Sequence, residues 1–282
     1  MAKQRLFLFA GYDAHGIVDA SLVHYVRALS ELGDVVVYMD SDCADAELNK
    51  LKPYVLYAGA TRHREYDFGS YKRAYLYARD AGILQNYKHV YMVNDSVYGP
   101  LFDLGPILTD LESRNVAAFG LVSNPHKTHP HIQSWFIGMS RDVFMTEWFD
   151  KFITSVTHEN SKGAITRKYE QGFSKQVTAH GLKWECAATI AGRGIYNRVK
   201  YVYRIGVPFI KKVAFSRHGG TYGRQIAYVL RHIAPDTRNA ILTSARRTFG
   251  DDYVKWLMTR NPIKIAYRGI KHGLQKIFSG KL

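Results

Sequence analysis

Residues 89–100 read HVYMVNDSVYGP. The run Val90–Val93 carries no polar alternation, leads straight into Asn94, Asp95 and Ser96, and is followed by a Gly99-Pro100 break. An unalternating apolar run marks a strand covered on both faces, as parallel strands are. Open α/β sheets bind ligands just beyond the carboxyl ends of such strands. A carboxylate between small polar side chains at that place is a candidate site. The same residue types also cap turns, which is the plainer alternative.

The sequence around this stretch repeats the strand-then-helix rhythm. Residues 5–10 (RLFLFA) and 35–38 (VVVY) predict strands, and 52–58 (KPYVLYA) a shorter one. Leu22, Val23, Val26 and Leu29 share one helical face, as do Tyr71, Ala74, Tyr75 and Ala78. Further helices are expected over 104–111, 141–154 and 168–180, the last opening near Glu170, with extended segments at 116–121 and 182–188. Short apolar strands alternating with helices predict an α/β domain with a mainly parallel sheet. Neither GxGxxG nor GxxxxGK[ST] occurs, so the dinucleotide fingerprint and the P-loop are not supported.

Composition sets the remaining bounds. The 282 residues are 46% hydrophobic, enough for a sizeable core. Cys43 and Cys186 are the two cysteines, so neither a disulfide framework nor a cysteine zinc site is expected. The apolar run at the start is too short for a secretory signal, and no stretch reaches the roughly 18–20 apolar residues of a spanning helix. A cytoplasmic protein is expected.

Charge divides the chain. Residues 1–192 carry 20 Lys/Arg against 21 Asp/Glu, and residues 193–282 carry 19 against 3. The formal net charge of +15 therefore belongs to the tail. This shift places a domain boundary near 192, with a basic, mainly helical region over 193–282. In 261–278, Ile263, Tyr267, Ile270, Leu274 and Ile277 fall on one helical stripe, with Lys264, Arg268, Lys271 and Lys276 mostly off it. Trp256 and Phe278 add aromatics beside the cations. Such segments suit an anionic membrane surface. Nucleic acid is the competing partner on charge alone, but no nucleic-acid motif is present and none is expected to bind. A helical cap with a solvated basic face is a third reading.

Four motifs in order carry a resemblance: EYDFGSYK at 65–72, VNDSVYGPL at 93–101, HIQSWF at 131–136 and YEQGFS at 169–174. Together they resemble the rhamnan synthesis F family, over roughly residues 5–190 and without the tail. The resemblance implies a GT-A-like nucleotide-binding domain. It also implies a glycosyltransferase that moves a sugar, rhamnose or another deoxyhexose, from a nucleoside-diphosphate donor to a growing bacterial surface polysaccharide. Its lipid-linked glycan acceptor would place it at the inner face of the plasma membrane. One departure is that His63-Arg64-Glu65 stands where the family usually has Asn-x-Gly. A non-catalytic scaffold acting through the basic tail is the alternative.

Under this resemblance the candidate residues take roles. Asp95 would hold Mg²⁺ or Mn²⁺ against the donor diphosphate, because hard cations take oxygen ligands and one carboxylate plus phosphates suffices. Asn94 and Ser96 would support it. Asp67, at a helix start, would meet ribose or base or else cap the helix, Arg64, Lys72 and Arg73 would meet the phosphates, since helix N-termini favour anions, and Ser70 joins the nucleotide-sugar set. Tyr12, Asp13 and His15 follow the first strand at the same sheet edge and join the nucleotide set. His131, Gln133 and Ser134 form the acceptor set, with His131 and Gln133 on one face if extended. Glu170 is the candidate general base, with Asp67 or His131 as substitute.

Overall fold

The computed structural model describes residues 4–216 and 220–278. The chain forms two compact units. One comprises the residues up to Asp95 together with Asp103–Gly192; the other comprises Ser96–Phe102 together with the residues from Arg193 onward. The segment after Asp95 thus belongs to the second unit, which composition did not announce.

The first unit is built on one sheet. Its strands are β1 (Arg5–Gly11), β2 (Asp34–Met39), β3 (Tyr57–Ala60), β4 (His89–Asn94), β6 (Ala118–Asn124), β7 (His131–Ile132), β8 (Phe136–Ser140) and β9 (Trp184–Thr189); β5 (Val97–Tyr98) lies in the other unit. The order is β3-β2-β1-β4-β8-β6-β7, with β9 beside β6. β1 to β4 are mutually parallel, as expected. β8 then runs antiparallel to both β4 and β6, so the sheet is mostly parallel but mixed beyond β4. Strand direction left no trace in the sequence because FIGMS of β8 is as buried as the parallel strands beside it.

Both faces are covered, which explains the missing alternation. On one face Leu6, Leu8, Val90 and Met92 pack with Phe68, Tyr71 and Ala74 of the helix Tyr66–Asp80, Phe149 of the helix Glu147–Thr154, and Phe173 of the helix Gln171–Ala179. On the other, Tyr91 meets Phe7, Phe119 and Phe136 with ring centroids 4.9–5.8 Å apart.

Three expected elements differ. Lys52–Tyr54 is a short 3₁₀ turn opened by Pro53, and β3 follows it. The helix expected over 141–154 is two, Arg141–Phe144 and Glu147–Thr154, because the Thr146 hydroxyl caps the second by accepting from the Phe149 N–H at 3.3 Å. Glu170 does not start a helix. It ends a π-helical turn, Thr166–Glu170, that runs on into Gln171–Ala179.

The second unit pairs β5 antiparallel with β10 (Ile210–Lys211). Around this pair lie the helices Gly194–Asn197, Val199–Arg204, Lys212–Ser216, Gly220–Arg231, Pro235–Phe249, Asp251–Leu257 and Pro262–Phe278. Its core holds Tyr98, Leu101, Phe215, Ile226, Leu230, Ile241 and Leu257. No helix among the described residues is long and apolar enough to cross a membrane.

Candidate active site

Register brings the ends of the parallel strands to one edge of the first unit, beside most of the candidate residues. Gly11 pairs with Met39, Met39 with Ala60 and Ala10 with Asn94, so β1 to β4 all end there. Antiparallel β8 starts at that same edge, since Val93 pairs with Phe136. The strand order reverses between β1 and β4, and that is where α/β sheets open a ligand crevice. The Asp95 N–H donates to the Ala10 carbonyl at 3.1 Å, fixing this half-buried carboxylate at the reversal point.

Asn94 is buried, and its Nδ2 donates to Asp67 Oδ2 at 2.7 Å. Asp67 lies in the first turn of the helix Tyr66–Asp80, where the helix dipole favours an anion, and this helix has no side-chain cap bond. The structure therefore joins the first and second motifs through a carboxylate–amide contact.

The turn before that helix is strained and densely paired. Arg64 and Tyr66 have φ of 61° and 58°, in the left-handed region that disfavours residues with a Cβ. The Arg64 N–H donates to Asp40 Oδ1 at 2.9 Å, and the Arg64 carbonyl accepts from His158 Nδ1 at 2.7 Å. A Cβ on Gly69 would lie 2.3 Å from Glu65 Cβ and 2.7 Å from the His63 ring, so only glycine lets the turn fold back on the helix. His63 Nδ1 accepts from the Glu65 N–H, which leaves Nε2 to donate to Ser70 Oγ at 2.9 Å. Burial, and then the Arg73 charge, push the His63 imidazole down to about 4.

Two nucleotide candidates are occupied otherwise. Ser70 is fully buried against His63. Lys72 Nζ donates to the Val156 carbonyl at 2.6 Å and pairs with Glu65 at 2.8 Å. Arg73 pairs with Glu65 too. Burial opposes ionisation of Glu65, but the hydrogen bonds from Arg73 and Lys72 prevail and lower its pKa.

The loop after β1 is held by its own aspartate. Asp13 Oδ1 accepts from the His15 and Ile17 N–H groups at 2.9 and 3.1 Å, and the Asp13 N–H donates to Ser41 Oγ. Tyr12 and His15 stand exposed. Arg62 lies over the Tyr12 ring, 5.0 Å from its centroid, and pairs with buried Asp40 at 2.6 Å. Sequence reasoning missed Asp40 and Arg62. The signal available was their position after β2 and β3, at the carboxyl edge that Asp95 shares. Ser96 belongs to the second unit, where its Oγ accepts from Lys211 Nζ at 2.9 Å.

The third and fourth motifs converge on Glu170. Ser134 Oγ donates to Glu170 Oε2 at 2.7 Å, and His131 Nε2 lies 3.3 Å from Oε1. His131 Nδ1 donates to the His129 carbonyl at 2.7 Å. Burial works against the imidazolium, but the Glu170 bond and then the His129 carbonyl outweigh it and raise the His131 pKa. Gln133 does not share this cluster, contrary to the expected extended pairing. Its Oε1 accepts from Trp135 Nε1 at 2.9 Å because the chain turns between β7 and β8.

Buried Tyr71 links the two groups. Its hydroxyl donates to the Ser134 carbonyl at 3.0 Å. Burial and then the Asp67 charge drive its phenol pKa well up, and Asn94 and Glu170 act on it as well. Asn94 also donates its N–H to the Trp135 carbonyl at 3.2 Å. Asp67, Asn94, Ser134 and Glu170 thus surround one phenol. Among the described residues no group of three or more His, Cys, Asp or Glu is placed to hold a metal. The donor set at Asp95 fits a hard divalent cation only in the substrate-bridged manner, one carboxylate plus phosphates, and not an all-protein cage.

Residues 35–277 match the family described as rhamnan synthesis protein F. The match runs through the basic tail, correcting the narrower span of 5–190 read from the motifs. No curated protein matches. Among solved structures, the chain is similar to a nucleotide-diphospho-sugar transferase from Desulfovibrio desulfuricans G20 (16% identity, 85% of this chain and 99% of that one, TM-score 0.43). It is also similar to a PBCV-1 glycosyltransferase involved in glycosylation of the major capsid (14%, 74% and 94%, 0.37). A third is core-mannan synthase A of Aspergillus fumigatus in its Mn/GDP form (12%, 64% and 72%, 0.36). These distant likenesses assign no residue. The family match covers most of the chain and all four motifs, and the chain belongs to the rhamnan synthesis protein F family of glycosyltransferases of polysaccharide synthesis.

Proposed function

We propose that the enzyme transfers rhamnose or another deoxyhexose from a nucleoside diphosphate to a lipid-linked bacterial glycan at the inner face of the plasma membrane. The donor sits at the carboxyl edge between β1 and β4, with Tyr12, Arg62 and Arg64 toward the nucleotide and Asp67 and Asn94 beneath it. Asp95 would hold a Mg²⁺ or Mn²⁺ ion, which when bound would supply positive charge to the leaving diphosphate. The bond from the anomeric carbon to the diphosphate oxygen breaks, and a bond to the acceptor oxygen forms. Glu170 takes the acceptor hydroxyl's proton. Ser134 and His131 orient Glu170, and His131 shares the charge that Glu170 carries before transfer.

The observation that carries this reading is the gathering of Asp67, Asn94, Ser134 and Glu170 around buried Tyr71, at the edge where Asp95 ends β4. The test is Glu170→Gln, which keeps the Ser134 contact. Its kcat should fall roughly 10²–10⁴-fold with little change in donor KM, the usual loss of a general base. Turnover within a factor of a few of wild type would remove Glu170 from the chemistry. Failure of the wild type to turn over or bind any nucleotide sugar would instead favour the scaffold alternative.

A further inference from the structure

The helix Pro262–Phe278 holds 17 residues and no acidic one. It docks on its own unit through a cation. Arg268 is 1% exposed, and its Nη1 donates to the Trp256 and Leu257 carbonyls at 3.2 and 2.8 Å, at the carboxyl end of the helix Asp251–Leu257. The guanidinium lies over the Trp256 ring, and a Cβ on Gly223 would come within 2.6 Å of it. Ile265, three residues earlier and near the same helix face, is half-buried. These contacts fix which side of the helix faces inward.

The opposite side carries the apolar stripe. Ile263, Tyr267, Ile270 and Leu274 are 78%, 62%, 64% and 49% exposed. At 3.6 residues per turn the four fall within a sector about 60° wide. Helices of globular proteins turn such a stripe toward the core. Here the stripe faces outward while an arginine faces inward. Lys264 and Lys271 are exposed and lie side by side along one edge of the stripe, the place from which lysine stems run along apolar surface to reach polar head groups. The side chains of Lys276, Ile277 and Phe278 lie outside the described residues.

Charge decides between occupants. Nucleic acid requires its cations on the contact face, whereas this contact face is apolar with cations at its margin. A second copy would bring like charges together along the same stripe. An anionic bilayer satisfies both parts, apolar side chains entering the acyl boundary and lysines meeting head groups. We infer that the helix Pro262–Phe278 lies in the surface of an anionic phospholipid bilayer, inserting Ile263, Tyr267, Ile270 and Leu274. The inference names the membrane contact of the function proposed above and needs no nucleotide for its test.

The test is sedimentation of the full chain with vesicles of phosphatidylcholine alone or with about 30% phosphatidylglycerol. The wild type should pellet with the mixed vesicles, less so as salt rises. Paired Tyr267→Asp and Ile270→Asp changes should lower that binding by roughly tenfold or more. Lys264→Gln with Lys271→Gln should narrow the difference between the two vesicle types. All four side chains are exposed, so circular dichroism and turnover of a water-soluble acceptor should stay at wild-type values, which separates a membrane defect from a catalytic one. The inference falls if the wild type ignores mixed vesicles or the Asp pair binds like wild type. It falls equally if the stripe drives only dimerisation or only nucleic-acid capture, without vesicle binding.

Discussion

Two histidines at the candidate site respond to pH in opposite senses. His63 is held neutral, with its folded pKa depressed to about 4 from an ordinary value near 6.5. Its contribution to stability is present above about 6.5 and is lost as pH falls through 4, to an extent on the order of 3 kcal/mol. His63→Gln should therefore flatten acid destabilisation across that window in urea unfolding at stepped pH; an unchanged acid limb would refute the assignment. Burial disfavours the charged His131 imidazole, but the bonds to Glu170 and the His129 carbonyl outweigh it, so its folded pKa is raised. Its contribution is full below about 6.5 and fades as pH climbs through the raised value. His131→Asn should cost more stability at pH 5 than at pH 8, and the reverse order would contradict the pairing. At this scale the sequence marked Asp95, Asp67 and Glu170 as candidates, because each sits in a compact polar motif. It hid Asp40 and Arg62, which are contributed singly by other strand ends. It misled at Gln133, because a side chain hooked to Trp135 two residues on looks the same as one facing a ligand.

The turn His63–Tyr66 is the element where sequence and backbone disagree most. Two residues with a Cβ occupy left-handed backbone there, at roughly 1–2 kcal/mol each, and active sites are where such strain tends to persist. Arg64→Gly should relieve one of them. Glycine's greater unfolded-state freedom offsets part of the gain, leaving an increase of about 0.5–1 kcal/mol in the unfolding free energy read from urea titration. Loss of the Arg64 side chain should weaken nucleotide binding at the same time. A variant less stable than wild type would show that the turn is not strained. Helices were legible by their periodic faces, and their ends were less so. Thr146 split one predicted helix through a capping bond, and the π turn that ends at Glu170 absorbed another helix start. The antiparallel sense of β8 depends on long-range pairing, and burial pattern does not encode that.

Across the whole molecule, charge is shared unevenly between two compact units. Each unit has its own apolar core. The basic residues accumulate in the second unit, and the family match extends across it. Chains with more than one core commonly depart from two-state unfolding. Calorimetry should give a van't Hoff enthalpy below the calorimetric one, whereas equality would show that the units melt together. The shift of charge at 192 was plain in composition. The transfer of Ser96–Phe102 to the second unit was not, because seven residues are too few to shift a compositional average.

The account rests on a donor diphosphate held at the reversal between β1 and β4 by Asp95. Titration calorimetry of a nucleoside diphosphate with Mn²⁺ into wild type and Asp95→Asn tests this most directly. A carboxylate that binds diphosphate through a cation predicts binding by the wild type that weakens roughly tenfold or more in the variant, with circular dichroism unchanged. Equal binding, or the tighter binding expected when a bare negative charge is removed from an anion site, would contradict it.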